Sequence, residues 1–153
     1  MEQLDFKRPV AVQYGMEVFP FFIERGFSVV DLVFNENCVA VLGYSPFNVK
    51  VLREGRTLDY LDELVPGESL VLETAVNIKG ALPGPKIFKC ERYRRKCGFQ
   101  REQSKGDHFK WIINGHRVSV NYCNGELDVR SLKEIAKLLD LKPRDLIMNI
   151  LTS

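Results

Sequence analysis

The chain has 153 residues, 45% hydrophobic and 27% charged, with 11 Gly and 7 Pro. This is the composition of a folded protein of one ordinary domain or two small ones, and it excludes a collagenous, disordered or low-complexity chain. No uncharged apolar run approaches the ~20 residues that span a bilayer, and the acidic opening Met1-Glu2-Gln3-Leu4-Asp5 lacks the basic and apolar regions of a secretion signal. A cytosolic protein without membrane contact is expected. Its four cysteines, Cys38, Cys90, Cys97 and Cys123, form no C-x-x-C pair, so reduced thiols are expected rather than disulfides or a zinc knuckle.

The net charge of +2 divides unevenly: residues 1–86 sum to −4 and residues 87–153 to +6. A basic half of this size is the electrostatic footprint of a nucleic-acid contact surface.

In chain order, Val18 to Gly26 (VFPFFIERG) reads as a helix ending at Gly26, with Pro20 near its start. Val29 to Phe34 and Val39 to Leu42 are apolar runs around the turn cluster Asn35-Glu36-Asn37, read as a hairpin, and Phe47 to Leu52 alternates as a third strand. Arg56 to Val65 reads as a helix with Thr57 as N-cap and Pro66-Gly67 as terminator. Two Gly and two Pro in the stretch Gly80 to Pro85 mark a boundary. The expected organisation is an acidic lobe over 1–82, a linker at 83–86 and a basic lobe over 87–153.

The second lobe opens with Ile87 to Cys97 (IFKCERYRRKC), a basic amphipathic helix with apolar positions at Phe88, Tyr93 and Cys97, stopped by Gly98. Gln103 to Asp107 is a polar turn. Phe109 to Ile113 and Arg117 to Tyr122 flank Asn114-Gly115, the strongest short hairpin signal. The last long element starts at Asp128 or Ser131, with Glu134 completing a capping box, and carries Leu132, Ile135, Ala136, Leu138 and Leu139 at helical spacing. Pro143 opens a short final helix through Leu151. The fold class is α+β in two small lobes, the second in the order α-β-β-β-α.

Arg25-Gly26-Phe27 and Cys97-Gly98-Phe99 lie 72 residues apart, and Arg56-Thr57-Leu58 and Arg130-Ser131-Leu132 lie 74 apart. A diverged tandem duplication is one reading of the first lobe; an unrelated small α/β domain is the other.

Only two histidines occur, His108 and His116. With no H-E-x-x-H, cysteine knuckle, phosphate loop or Gly-x-Ser-x-Gly elbow, neither metal catalysis nor a serine nucleophile is indicated, and no cofactor is expected. Ser104-Lys105-Gly106-Asp107-His108 is a basic turn leading into a strand with an imidazole at its entrance. Imidazole suits RNA cleavage because its unperturbed pKa of about 6.5 lets it take the 2′-hydroxyl proton or give one to the leaving oxygen near neutral pH. Lys105 and the Gly106 N–H are placed to hold the phosphate, and Arg94, Arg95, Arg101 and Lys110 extend the RNA-binding set. Alternation puts Phe109, Trp111 and Ile113 on one face of their strand and His108, Lys110 and Ile112 on the other. Phe109, Trp111 and Tyr122 are then either a stacking platform for bases or core residues under the helices; the core reading is the stronger, and it leaves His108 and Lys110 together outside. His116 is a solvent-side residue of the hairpin.

Arg94-Arg95-Lys96-Cys97-Gly98-Phe99, Lys105-Gly106-Asp107-His108, Arg117-Val118-Ser119-Val120, Gly125-Glu126-Leu127 and Ser131-Leu132-Lys133-Glu134-Ile135 occur in this order, and residues of about 88–150 resemble the HicA family of small toxins. The resemblance implies a fold like the double-stranded-RNA-binding domain, a metal-independent ribonuclease acting on messenger RNA with His108 as its catalytic histidine, and a HicB-type antitoxin as partner. Two positions depart from the family pattern: Asp107 stands where it has a small Ser or Gly, and Arg130 where it has Gly. A non-catalytic RNA-binding or protein-interaction module built on the same fold is the alternative.

Overall fold

The computed structural model describes residues 8–74, 84–105 and 108–153. The chain separates into two compact units, Met1–Leu82 and Pro83–Ser153, each mixed α+β around its own sheet.

The first unit begins with the hairpin β1 (Pro9–Tyr14) and β2 (Glu17–Phe22). Two short helices follow, α1 (Val29–Val33) and α2 (Glu36–Leu42), then β3 (Val49–Arg53), β4 (Arg56–Thr57) and β5 (Ser69–Thr74). The sheet order is β2-β1-β5-β3-β4, with β1 and β5 parallel at its centre. Val10, Val12, Val49, Val51, Leu70 and Leu72 form its buried face, and Val29, Val30, Leu32 and Val33 of α1 are buried in the same unit. Val18, Phe22 and Val71 are exposed.

This unit differs from the sequence expectation in three places. Residues 18–22 form a strand because β2 pairs residue for residue with β1 across a tight turn, and Pro20 sits on an edge strand, where no donor is missed. Residues 29–33 and 36–42 form helices, because capping outweighs the β-propensity of their valines. The Ser28 N–H donates to Asp31 Oδ2 at 2.9 Å, and Asn35 Oδ1 accepts from the Cys38 N–H at 2.9 Å. Residues 56–65 form no helix: Arg56 and Thr57 are strand, and the segment beyond lends carbonyls to the start of α1, with Val29 N–H donating to Asp62 O and Val30 N–H to Tyr60 O. These bonds satisfy donors that a helix N-terminus leaves orphaned. The element orders of the two units differ accordingly, so the Gly-Phe and Arg-Thr/Ser-Leu parallels do not mark a repeated fold: Gly26 follows a strand where Gly98 follows a helix.

The second unit runs α3 (Ile87–Cys97), β6 (Gln100–Lys105), β7 (His108–Ile113), β8 (His116–Cys123), β9 (Glu126–Leu127), α4 (Val129–Leu138) and α5 (Pro143–Leu151). The expected α-β-β-β-α order is present, with a two-residue strand inserted before α4 and the short final helix after it. The strands form one antiparallel sheet in chain order. Gly98 ends α3 at φ 79°, where a side chain would be strained. Asp128 is the N-cap of α4, its Oδ1 accepting from the Ser131 N–H at 2.7 Å, and the Ser131 hydroxyl oxygen is left to accept from the Asn121 N–H at 2.8 Å. The buried stripe of α3 is Cys90, Glu91 and Tyr93; Phe88 and Cys97 face solvent. Gln103 to Lys105 continue β6 through a register shift rather than turning.

Of the expected linker and its approach, residues 75–83 lie outside the described residues. Residues 84–86 belong to the second unit: Leu127 N–H donates to Pro85 O at 2.8 Å and Lys86 bridges Glu126. Gly84 is tight against this pairing, since a Cβ there would meet the Leu127 carbonyl oxygen at 2.5 Å.

All four cysteines are free, with Cys38 and Cys90 buried and Cys97 and Cys123 exposed. Burial pushes the Cys90 thiol up to about 12. Titration of the native protein with a thiol reagent at pH 8 is expected to label two cysteines quickly, Cys97 and Cys123, and the other two only after denaturant is added; fast labelling of three or four would contradict this core.

Candidate nucleic-acid interface

The turn Asn114-Gly115 takes positive φ at both positions, 50° and 80°, the geometry that joins antiparallel strands through two residues. It pairs Ile113 with His116 and thereby every residue behind them, ending with His108 opposite Asn121. Directly paired residues share a face. Trp111, Ile113, Val118 and Val120 point to the helices and are buried. The opposite face carries three rows across β6, β7 and β8: Lys105, His108 and Asn121; Glu102, Lys110 and Ser119; Gln100, Ile112 and Arg117.

His108 is exposed, and its Nδ1 lies 2.7 Å from Asn121 Oδ1. With the amide oxygen as acceptor, Nδ1–H is the donor and Nε2 is left open. Asn121 is itself held through its backbone, its N–H by Ser131 Oγ and its carbonyl by the Asp128 N–H at 3.0 Å. The imidazole therefore stands on a partner anchored to the start of α4. Lys105 and Lys110 are exposed on the same face. Glu102 supplies its carboxylate and bonds Arg117 at 3.1 Å, an exposed pair of small energetic weight.

The remaining cationic candidates lie elsewhere. Tyr93 of α3 touches Phe99, and Phe99 touches Trp111, so α3 covers the buried face of the sheet. Glu91 is buried there and takes two of the three arginines expected to hold RNA: Arg94 Nε at 2.7 Å and Arg101 Nη1 at 2.9 Å. Arg94 also donates to the Phe99 carbonyl at 2.8 Å, and the Arg101 guanidinium sits 5.2 Å from the Phe109 ring centroid. Both belong to the seam between α3 and the sheet, away from the strand face that carries His108. Arg95 is exposed, but on α3, across the sheet from His108. Trp111 is fully buried and Tyr122 nearly so, while Phe109 is half-buried edge-on to Tyr122 at 5.8 Å. This rules out the stacking platform. His116 is exposed at the start of β8; Gly106 and Asp107 lie outside the described residues.

Two residues of the site carried signals that spacing alone contains. Asn121 follows from counting back from the Asn-Gly turn. Glu91 is the single acid in the basic helix, three residues before Arg94, a spacing that brings side chains together.

Among the described residues no three His, Cys, Asp or Glu side chains gather as metal ligands, and no helix is long and apolar enough to cross a membrane. No family model matches the chain, and no curated protein matches it. Among solved structures, the chain is similar to the solution structure of a computationally designed protein based on the template of human erythrocytic ubiquitin, at 24% identity over 46% of this chain and 94% of that one, with a TM-score of 0.39.

Burial raises the Glu91 pKa, but hydrogen bonds from Arg94 and Arg101 outweigh it and hold the carboxyl below its ordinary value. A carboxylate with a depressed folded pKa contributes stability above its unfolded value of about 4.3, and that contribution is lost as pH falls through the folded value. Glu91→Gln is expected to cost about 2–4 kcal/mol at pH 7, since it leaves two guanidinium groups facing a neutral amide. The cost should shrink below pH 4. Equal losses at pH 7 and pH 3 in chemical unfolding would show that the ion pairs are not what Glu91 contributes.

Proposed function

We propose that the second unit binds RNA on the strand face that carries His108 and cleaves it in the manner of a HicA-type ribonuclease, with His108 as general acid/base. The observation that carries this reading is the His108–Asn121 pair: an exposed imidazole with one nitrogen committed to a neutral, backbone-anchored amide and the other open, on a face with Lys105 and Lys110. His108 Nε2 takes the proton of a ribose 2′-hydroxyl as that oxygen attacks the adjacent phosphorus. The resulting imidazolium returns a proton to the departing 5′-oxygen, leaving a 2′,3′-cyclic phosphate. Asn121 keeps the ring oriented and its tautomer fixed, while Lys105 and Lys110 offset the charge that develops on the phosphoryl oxygens. Proton transfer of this kind requires no metal. The reading places the protein in the cytosol, with a HicB-like antitoxin as the partner that would cover the same face.

A second reading, an RNA-binding module without catalysis, is favoured by Asp107. Its carboxylate immediately precedes His108 in sequence and opposes an approaching phosphate.

Cleavage of a labelled messenger RNA in the presence of a chelator separates the readings. His108→Ala is expected to lower the cleavage rate by about 10²–10⁴-fold while leaving the RNA dissociation constant within a few-fold, because no permanent charge is removed. Asn121→Ala should lower the rate less and His116→Ala hardly at all. Wild-type protein that binds RNA but leaves it intact would establish the second reading; His108→Ala cutting at the wild-type rate would end the first.

Binding itself should rest on Lys105 and Lys110. Lys110→Ala is expected to weaken affinity and to make the dependence of log K on log salt shallower by roughly 0.7–0.9, the contribution of one phosphate contact. An unchanged salt slope in Lys110→Ala would remove this face as the docking surface.

A further inference from the structure

The sheet of the second unit closes incompletely along the outer edge of β8. Backbone groups of Cys123, Asn121, Ser119 and Arg117 point to that edge, because the two-residue turns at Asn114-Gly115 and Asn124-Gly125 set the alternation. Cys123 pairs with β9, and Asn121 is satisfied by Ser131 Oγ and the Asp128 N–H. For Ser119 and Arg117, no partner for the backbone N–H or C=O exists among the described residues. These four unpaired groups open into a groove of about 610 Å³ between the β8 edge and α4, with Val118 in its lining and Glu134, Lys137 and Leu138 on the helix side.

We propose that this groove accepts an extended peptide segment of a partner protein, which adds as a strand to β8 and presents an acidic side chain to α4. A strand edge beside a helix supplies both parts of such recognition: main-chain hydrogen bonds for affinity and a lined wall for side-chain selection. The free edge is only two outward-facing residues long, bounded by the Asn114-Gly115 turn and by the Ser131 contact. So short an edge suits reversible docking rather than the continuous pairing that drives aggregation. The charge of the lining points to the class of peptide. Glu134 is engaged by Arg130 at 3.5 Å and Arg117 by Glu102 at 3.1 Å, whereas Lys137 and His116 face the groove with no such partner among the described residues. An acidic residue on the added strand would complete Lys137.

The test uses the full chain and an end-capped heptapeptide alternating valine and threonine around a central glutamate, with two companions: one N-methylated at the central amides and one with lysine at the centre. The glutamate peptide is expected to slow amide exchange at Arg117 and Ser119, and N-methylation to weaken its binding roughly tenfold or more. Lys137→Glu should reverse the preference between the glutamate and lysine peptides while leaving any RNA cleavage rate unchanged, so failure here and failure of the ribonuclease reading are separable. Ser119→Pro should abolish peptide binding by removing an edge donor; the N-methylated peptide asks the same question without altering the fold. The proposal falls if Arg117 and Ser119 stay unprotected at about 1 mM of each peptide, if N-methylation makes no difference, if protection grows with protein concentration alone and so reports pairing between copies, or if RNA rather than peptide produces it.

Discussion

The register between β7 and β8 decides what the second unit can do, and two residues set it. Asn114 and Gly115 accept backbone angles that most residues resist, so the strands are joined with no slack. A slip of one residue would move Trp111 and Ile113 to solvent and His108 and Lys110 into the core. The burial of a large indole and the placement of an imidazole opposite Asn121 are two consequences of one turn. The same parity aims Arg117 and Ser119 backbone groups at the sheet edge, so the strand face and the edge groove share a cause.

Charge is sorted by burial rather than by sequence position. The basic half carries a surplus of positive side chains, yet two arginines among them serve a buried carboxylate. Taking Glu91 out of water is unfavourable unless its oxygens are satisfied, and Arg94 and Arg101 satisfy both from different elements. That exchange joins helix to sheet and leaves the strand face with fewer cations than the composition promises. Among the described residues, Lys105 and Lys110 are the cations left beside His108 on that face without an ion pair, since Arg117 is held by Glu102.

The second unit was largely legible because its signals are local. Its Gly-terminated helix, Asn-Gly hairpin, Asp N-cap and Pro-initiated final helix are each determined by residues within one turn of themselves. Alternation along β7 placed His108 and Lys110 outside and Trp111 inside. The first unit was read poorly for the opposite reason. Its central pairing is parallel, between β1 and β5, which are distant in sequence. The valines of residues 29–33 have strand propensity, but bonds to residues 60 and 62 and a cap at Ser28 hold them in a helix.

For this chain the sequence alone determined the α+β class, the element order of the basic half, the boundary region near the Pro/Gly stretch and the side of the sheet on which His108 stands. All of these depend on periodicity, breakers and turn chemistry over a few residues. Tertiary structure decided which charges are free and which are spent, that Asn121 holds the imidazole, that the first unit is a mixed five-stranded sheet, and that two backbone rungs of β8 remain open. Each of these depends on contacts between residues far apart in the chain. Their energies are set by burial and by pairing across strands, which no local pattern records.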